Sequence, residues 1–345
     1  MSDGANNVKP KGQRQEVKAN YFSLFTFYFL LFALLLSAGC NQKQQAVDLY
    51  VDAIMLRELD ENEMAVKRLN SAVKLDKRFS LAYSLLGEVY QEMKQYEKSA
   101  ASYEKATQLN PLSFNDFFSL GRVYEIMKRF VQAVRAYARA CEIKPNHLQA
   151  HISTAKSYYQ ISDYNRALIY GKRAEQIDPN VSEIQNLLGD IYESQEDHEQ
   201  AVRSYKRSLE LDSNNPTIMT SLAVAYLKTN RNEPAREVLE SVIQIQPDNN
   251  IAYKHLGYCC LLLKDIDKSI ENYSKAIQIN ENDWDSLRGL GVAYILKGTA
   301  EDGTIDETLK AKAVQQWRRS LDIKPDQPKS ERLFRLIRKY SQKKE

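Results

Sequence analysis

The chain has 345 residues, a formal net charge of +3 and 43% hydrophobic residues. That balance excludes the strong basic field that nucleic-acid binding requires, and four scattered cysteines are too few for a disulfide framework. A length of 345 ordinarily gives two globular domains; an internal period replaces that expectation, because a stack of repeats grows one unit at a time.

Residues 1–20 have no apolar periodicity and are expected to be disordered. Lys9, Lys11, Arg14 and Lys18 make them basic. Residues 21–39 carry no charge. A basic flank followed by an apolar run is a secretory signature. At 19 residues the run also just reaches across a hydrocarbon core of ~30 Å at about 1.5 Å per residue. It closes on Leu36-Ser37-Ala38-Gly39-Cys40, which resembles the lipobox of bacterial lipoproteins. That resemblance implies cleavage before Cys40 and a lipid on its sulfur. Ser37 departs from the family, which favours Leu there. A cleaved lipoprotein and an uncleaved anchor helix both stay open. Either puts the basic end inside and the rest of the chain outside the cytoplasmic membrane. For a lipoprotein of a two-membrane bacterium, Asn41 after the cysteine points to the outer membrane. Residues 41–45 are expected to be a short tether.

The stretch Ser80–Ser113 then sets a pattern. Tyr83, Leu86, Val89, Tyr90 and Met93 fall on one helical face, and Ala100, Tyr103, Ala106 and Leu109 on another. Asn110-Pro111 ends the second helix, because proline disfavours the α conformation of the residue before it. Gly87 sits inside the first helix, at a cost of roughly 1 kcal/mol against alanine, which suggests close approach of a neighbour.

The pattern repeats every 34 residues. The Gly87 position holds Gly121, Ala155, Gly189, Ala223, Gly257 and Gly291 in turn. The Tyr90 position holds Tyr124, Tyr158, Tyr192, Tyr226, Cys260 and Tyr294. In the second helix, the Tyr103 position holds Tyr137, Gly171, Tyr205, Leu239 and Tyr273, and the Pro111 position holds Pro145, Pro179, Ser213, Pro247 and Glu281. This resembles the tetratricopeptide repeat family. The resemblance covers residues 46–327 and implies an all-α fold, a right-handed superhelical solenoid of about eight helix-turn-helix units. The units run 46–79, 80–113, 114–147, 148–181, 182–215, 216–249, 250–283 and 284–327. The first is degenerate, with Ala53 in the glycine position and Leu69 in the bulky one.

The last unit is stretched. Ala313, Trp317, Ser320 and Pro325 match a second helix, but ten residues late. Thr304 stands three residues before Glu307, a capping-box spacing that predicts an early, projecting helix start. Residues 328–345 read as a basic capping helix whose Leu333, Leu336, Ile337 and Tyr340 can cover the final unit. Its opposite face could meet acidic partners or lipid head groups.

No catalytic motif is present: no Gly-rich phosphate loop, nucleophile elbow or Cys-x-x-Cys. His147 and His151 share a face, but two ligands do not make a metal site. No cofactor, no metal and no catalytic residue is expected, and the chain is read as a non-enzyme. Cys141, Cys259 and Cys260 read as small buried side chains.

Function is therefore expected on the surface. By family resemblance, first helices line a concave face. In the units 250–283 and 284–327 that face would carry Lys254, Tyr258, Leu261, Leu262, Arg288, Val292 and Ile295, suited to a peptide with an acidic or carboxylate group. Earlier units would present a more polar groove through Glu88, Glu92, Arg122, Lys156, Tyr159, Asp190 and Glu193. The expectation is a membrane-tethered extracytoplasmic scaffold that binds protein or peptide partners, and no nucleic acid, in assembly of a cell-envelope complex. An accessory subunit presenting substrates to an enzyme in trans, glycosyltransferase-like, and a membrane-surface or ligand receptor are the alternatives.

Overall fold

The computed structural model describes residues 41–341. Cys40, the apolar run 21–39, the basic segment before it and residues 342–345 lie outside the described residues. No helix among the described residues is long and apolar enough to cross a membrane.

Within 41–341 the chain is a succession of α-helices. The first, α1, covers residues 41–58, and α2 is Asn62–Leu75. Six regular hairpins follow: α3 (Ser80–Glu92) with α4 (Tyr96–Leu109), α5 (Phe114–Ile126) with α6 (Phe130–Ile143), and α7 (Leu148–Gln160) with α8 (Tyr164–Ile177), then α9 (Ser182–Ser194) with α10 (His198–Leu211), α11 (Pro216–Lys228) with α12 (Asn232–Ile245), and α13 (Asn250–Leu262) with α14 (Ile266–Ile279). The stretched hairpin is α15 (Trp284–Gly298) with α16 (Glu307–Ile323), and α17 (Ser330–Ser341) ends the described chain. Residues 41–45, expected as a tether, are instead the exposed first turn of α1, which runs on without a break into the buried Ala46.

The turn inside each hairpin except the stretched one is made the same way. Asp60, Lys94, Lys128, Ser162, Glu196, Asn230 and Lys264 all have positive φ, between 57° and 64°, at a strict 34-residue spacing. A left-handed residue costs an L-amino acid roughly 1 kcal/mol. It is held because the reversal lets the next amide close the helix end: Gln95 N–H donates to Tyr90 O at 2.8 Å and Arg129 N–H to Tyr124 O at 2.8 Å.

Packing inside the hairpins explains the in-helix glycines. A Cβ on Gly87 would stand 2.8 Å from the Tyr103 ring, and one on Gly189 would stand 2.5 Å from Tyr205. The ring of the second helix lies flat on the bare backbone of the first. Where the first helix carries alanine instead, the second has no ring: Ala53 goes with Leu69, Ala155 with Gly171, and Ala223 with Leu239. Ala53–Leu69 and Ala223–Leu239 thus keep a volume close to that of a glycine–tyrosine pair, whereas beside Gly171 the space is taken by Leu188 of the next hairpin, 3.0 Å from where a Cβ would stand. Ser99 Oγ also donates to Gly87 O at 2.6 Å, and Ser269 Oγ to Gly257 O at 2.8 Å, pinning second helix to first.

The described chain divides into two compact units, up to Pro145 and from Asn146 onwards. The first contains a core of Ala53, Leu69, Leu85, Leu86 and Val89 among others, and a second cluster around Tyr103, Val123 and Tyr137. The second unit is cored by Ile184, Leu188, Tyr205 and Leu222, then by Leu239, Val242 and Leu256, and ends on a cluster around Trp317.

The stretched hairpin closes its insert with a bridge between Thr299 and Ile305. Helix α16 starts early, as expected, and has 17 residues against 14 in α14. Its cap is Asp306, whose Oδ1 accepts from Leu309 N–H at 2.8 Å, and not Thr304. Thr304 is diverted to Asp302, donating through both N–H (2.8 Å) and hydroxyl (2.7 Å).

Candidate functional site

Helices α11, α13 and α15 are consecutive first helices, so the 34-residue period places equivalent faces side by side. Helix α17 packs on α16 and faces them. Between these four elements lies a groove of about 580 Å³. Its apolar walls come from Leu227, Tyr258, Leu261, Val292 and Leu336. Its charges are Lys228, Lys254, Arg288, Lys329 and Arg332 against one acid, Asp285.

That acid is occupied locally. Asp285 pairs with Arg288 at 2.5 Å. Arg288 also donates to Pro328 O at 3.2 Å and lies 5.1 Å from the centre of the Trp284 ring. It therefore ties α15 to the loop that starts α17. The other four cations have no carboxylate within ion-pair distance among the described residues. Burial, then the neighbouring Lys254 charge, push the His255 imidazole down to about 4 against the opposing pull of Asp285 and Asp283. His255 is thus neutral near pH 7, offering one donor and one acceptor.

The floor depends on two glycines. Tyr273, from α14, is nearly fully buried. A Cβ on Gly257 would meet its ring at 2.7 Å, and one on Gly289 would stand 2.3 Å from Cζ and 2.7 Å from the hydroxyl oxygen. Gly257 belongs to the repeat pattern; Gly289 does not. The extra glycine lets the ring tip of a second-helix tyrosine pass α15 into the groove lining.

The wall formed by α17 has its own support. Trp317 is 1% exposed and donates from Nε1 to Arg288 O at 3.1 Å. Tyr340 packs 5.9 Å from it, ring centre to ring centre, and Leu333 joins the same cluster.

Of the residues expected in the groove, Lys254, Tyr258, Leu261, Arg288 and Val292 line it together. Leu262 and Ile295 do not. Leu262 is 40% exposed one helical step away, and Ile295 is buried in the cluster beneath α17. Unanticipated lining residues are Lys228, His255, Tyr273, Asp285 and Gly289, with Lys329, Arg332, Leu333 and Leu336 from α17. Position in the repeat could have flagged His255 and Asp285; nothing in the repeat reports α17.

Elsewhere several charges on first helices are satisfied internally. In the first unit Arg57 is held by Glu88 and Glu92, each at 2.5 Å. In the second, Lys156 pairs with Glu183, and the Tyr205 hydroxyl donates to Asp190 at 2.8 Å. Burial raises the Asp190 carboxyl above its usual range although that hydrogen bond lowers it. His147 caps α7, its Nδ1 accepting from Ala150 N–H at 3.2 Å. Among the described residues no group of three His, Cys, Asp or Glu is placed to hold a metal. Cys259 is buried, with Sγ 3.0 Å from Asn232 O, and burial pushes its thiol up to about 12, so it stays protonated.

Five family models, each described as tetratricopeptide repeat, match residues 80–113, 117–147, 154–216, 192–257 and 251–283. Together they span more than half of the chain. The chain belongs to the tetratricopeptide repeat family. Repeats of this family are protein-interaction scaffolds, and this chain is one by membership. It is 36% identical over 58 residues to anaphase-promoting complex subunit 3 of Schizosaccharomyces pombe, a match over 17% of this chain and 9% of that protein. The chain thus spans under a tenth of that curated relative. Among solved structures it is similar to the Cut9–Hcn1 hetero-tetramer of the anaphase-promoting complex, with a TM-score of 0.52, 15% identity, and coverage of 85% of this chain and 55% of that one. It is also similar to YrrB, a tetratricopeptide repeat protein with an unusual peptide-binding site, with a TM-score of 0.48, 18% identity, and coverage of 60% of this chain and 99% of that one. At these identities the likeness is one of fold.

Proposed function

We propose that this chain is a non-catalytic scaffold, tethered to a membrane on its extracytoplasmic side, that captures protein or peptide partners during assembly of a cell-envelope complex. The observation that carries partner capture is the groove between α11, α13, α15 and α17, where apolar walls meet cations left without internal partners. Tethering rests on sequence: the basic flank, the uncharged run 21–39, and the Ala38-Gly39-Cys40 junction. In a bacterium with two membranes, the outer one is the proposed location.

Two measurements test this. Intact-mass analysis of the native protein should show a mature N-terminus at a lipid-bearing Cys40, and Cys40→Ala should abolish the modification. An unmodified chain recovered free of membrane overturns the tether. A photo-crosslinking side chain in place of Tyr258, which is 47% exposed, should trap a protein partner in cells of the source organism. Failure to trap any protein there overturns partner capture by the groove.

A further inference from the structure

We infer that α17 is one wall of a recognition groove for an acidic peptide segment with interspersed apolar side chains, and not only the end-plate of the repeat stack. This rests on the scaffold reading and narrows it to one partner chemistry.

The argument begins with where the charges come from. Three separate elements deliver unpaired cations to one groove: Lys228 from the end of α11, Lys254 from α13, and Lys329 with Arg332 from the start of α17. Neighbouring like charges repel, and because Lys228, Lys329 and Arg332 are exposed they remain open to an incoming group. The single lining carboxylate cannot offset the repulsion, because Asp285 is bonded to Arg288. An occupant supplying carboxylates relieves the repulsion and gains charge-assisted hydrogen bonds at the same time.

Helix α17 is held so that it presents these charges. Leu333 is 3% exposed and anchors the helix in the Trp317 cluster, while Arg332 beside it is exposed and lines the groove. Arg288 fixes the loop before the helix through Pro328 O. Lys329 takes a left-handed conformation, φ 63°, to turn the chain into the helix. A helix serving only to cover apolar surface has no need of cations on its inner edge.

The rest of the lining selects against other anions. The walls are largely aliphatic, from Leu227, Leu261, Val292 and Leu336. They offer no series of aromatic platforms of the kind that stacks bases. Aliphatic walls suit leucine-like side chains between the acids, and neutral His255 can meet a peptide amide at the floor.

The test is selection of a random-peptide display library on the full-length chain in detergent micelles. Peptides rich in Asp and Glu between apolar residues should be enriched. Their affinity should fall at least about tenfold in the double variant Lys254→Glu, Arg332→Glu, a change of roughly 1.4 kcal/mol. Lys206→Glu, an exposed charge reversal on α10, should leave it unchanged. Helical circular dichroism matching the parent confirms that the double variant folds. Enriched peptides without acids, binding that survives the double reversal, or displacement of bound peptide by phosphatidylglycerol vesicles each overturns the acidic-peptide assignment while leaving a scaffold that binds elsewhere or otherwise. No enriched peptide at all overturns the scaffold reading with it.

Discussion

The first helices of the two units treat charge in opposite ways. In the first unit Arg57 on α1 is clamped by Glu88 and Glu92 on α3, so that surface is neutralised from within. In the groove at the end of the second unit, Arg288 pairs with Asp285, while Lys228, Lys254, Lys329 and Arg332 stand unmatched among the described residues. Both regions are built on first helices of the same repeat. The difference lies in positions the fold does not constrain, which is where a repeat protein can acquire a partner without losing stability.

The comparison can be broken most severely at Trp317. Trp317→Ala should destabilise the α15–α17 end by about 3–5 kcal/mol, the usual cost of emptying a large buried aromatic site. Hydrogen exchange should accelerate across α16 and α17 and not across α1–α4. Uniform loss of protection would show that the two ends are not separately stabilised.

A pH measurement comes next. The folded His255 imidazole titrates near 4, below its ordinary 6.5. Between those values the unfolded chain binds the extra proton, so stability rises with pH through this window, is complete above 6.5 and is lost as pH falls towards 4. The loss should reach up to about 3 kcal/mol. His255→Gln should flatten the dependence of the melting temperature over that range. An unchanged slope places the titration elsewhere.

Arg288→Ala removes the bond to Pro328 O and leaves Asp285 without its cation. A cost of about 1–2 kcal/mol is expected, read as faster exchange at the start of α17. Glu88→Gln with Glu92→Gln should have the smallest effect, about 1 kcal/mol or less, because both carboxylates are well exposed. That variant would expose an unmatched cation in the first unit. If it gained affinity for the acidic peptides, unpaired charge alone would suffice; no gain shows that the apolar walls are needed too.

The fold was legible because its determinants are local and periodic. Gly87 and Tyr103, sixteen residues apart, specify the same contact in each hairpin that carries them, and the residue at the Tyr90 position, whether tyrosine or Cys260, supplies the backbone carbonyl that closes the turn. The groove was legible only in part. Lys254, Tyr258, Leu261, Arg288 and Val292 follow from repeat position. Ile295 follows it equally well, yet is covered because α17 packs there. The contribution of α17 could not be read from spacing, since Lys329 and Arg332 approach from outside the repeat. Tyr273 belongs to a second helix and reaches the groove only through Gly289, a residue whose role appears once the ring is placed beside it. For Cys40 the sequence remains the whole argument.

The matched pairs inside the hairpins bear on how such a chain can be recombined. An α13 carrying Gly257 expects a ring from the following helix; offered Leu239 instead, it would face a void. An α11 carrying Ala223 and offered Tyr273 would thrust a methyl group towards the ring, as a Cβ at Gly257 already would at 2.7 Å. Single helices are therefore not exchangeable parts. The 34-residue hairpin keeps each matched pair together, so duplication, deletion or grafting in this chain should be tolerated better when cut between hairpins than within one, with the α13–α14 hairpin also needing Gly289 after it.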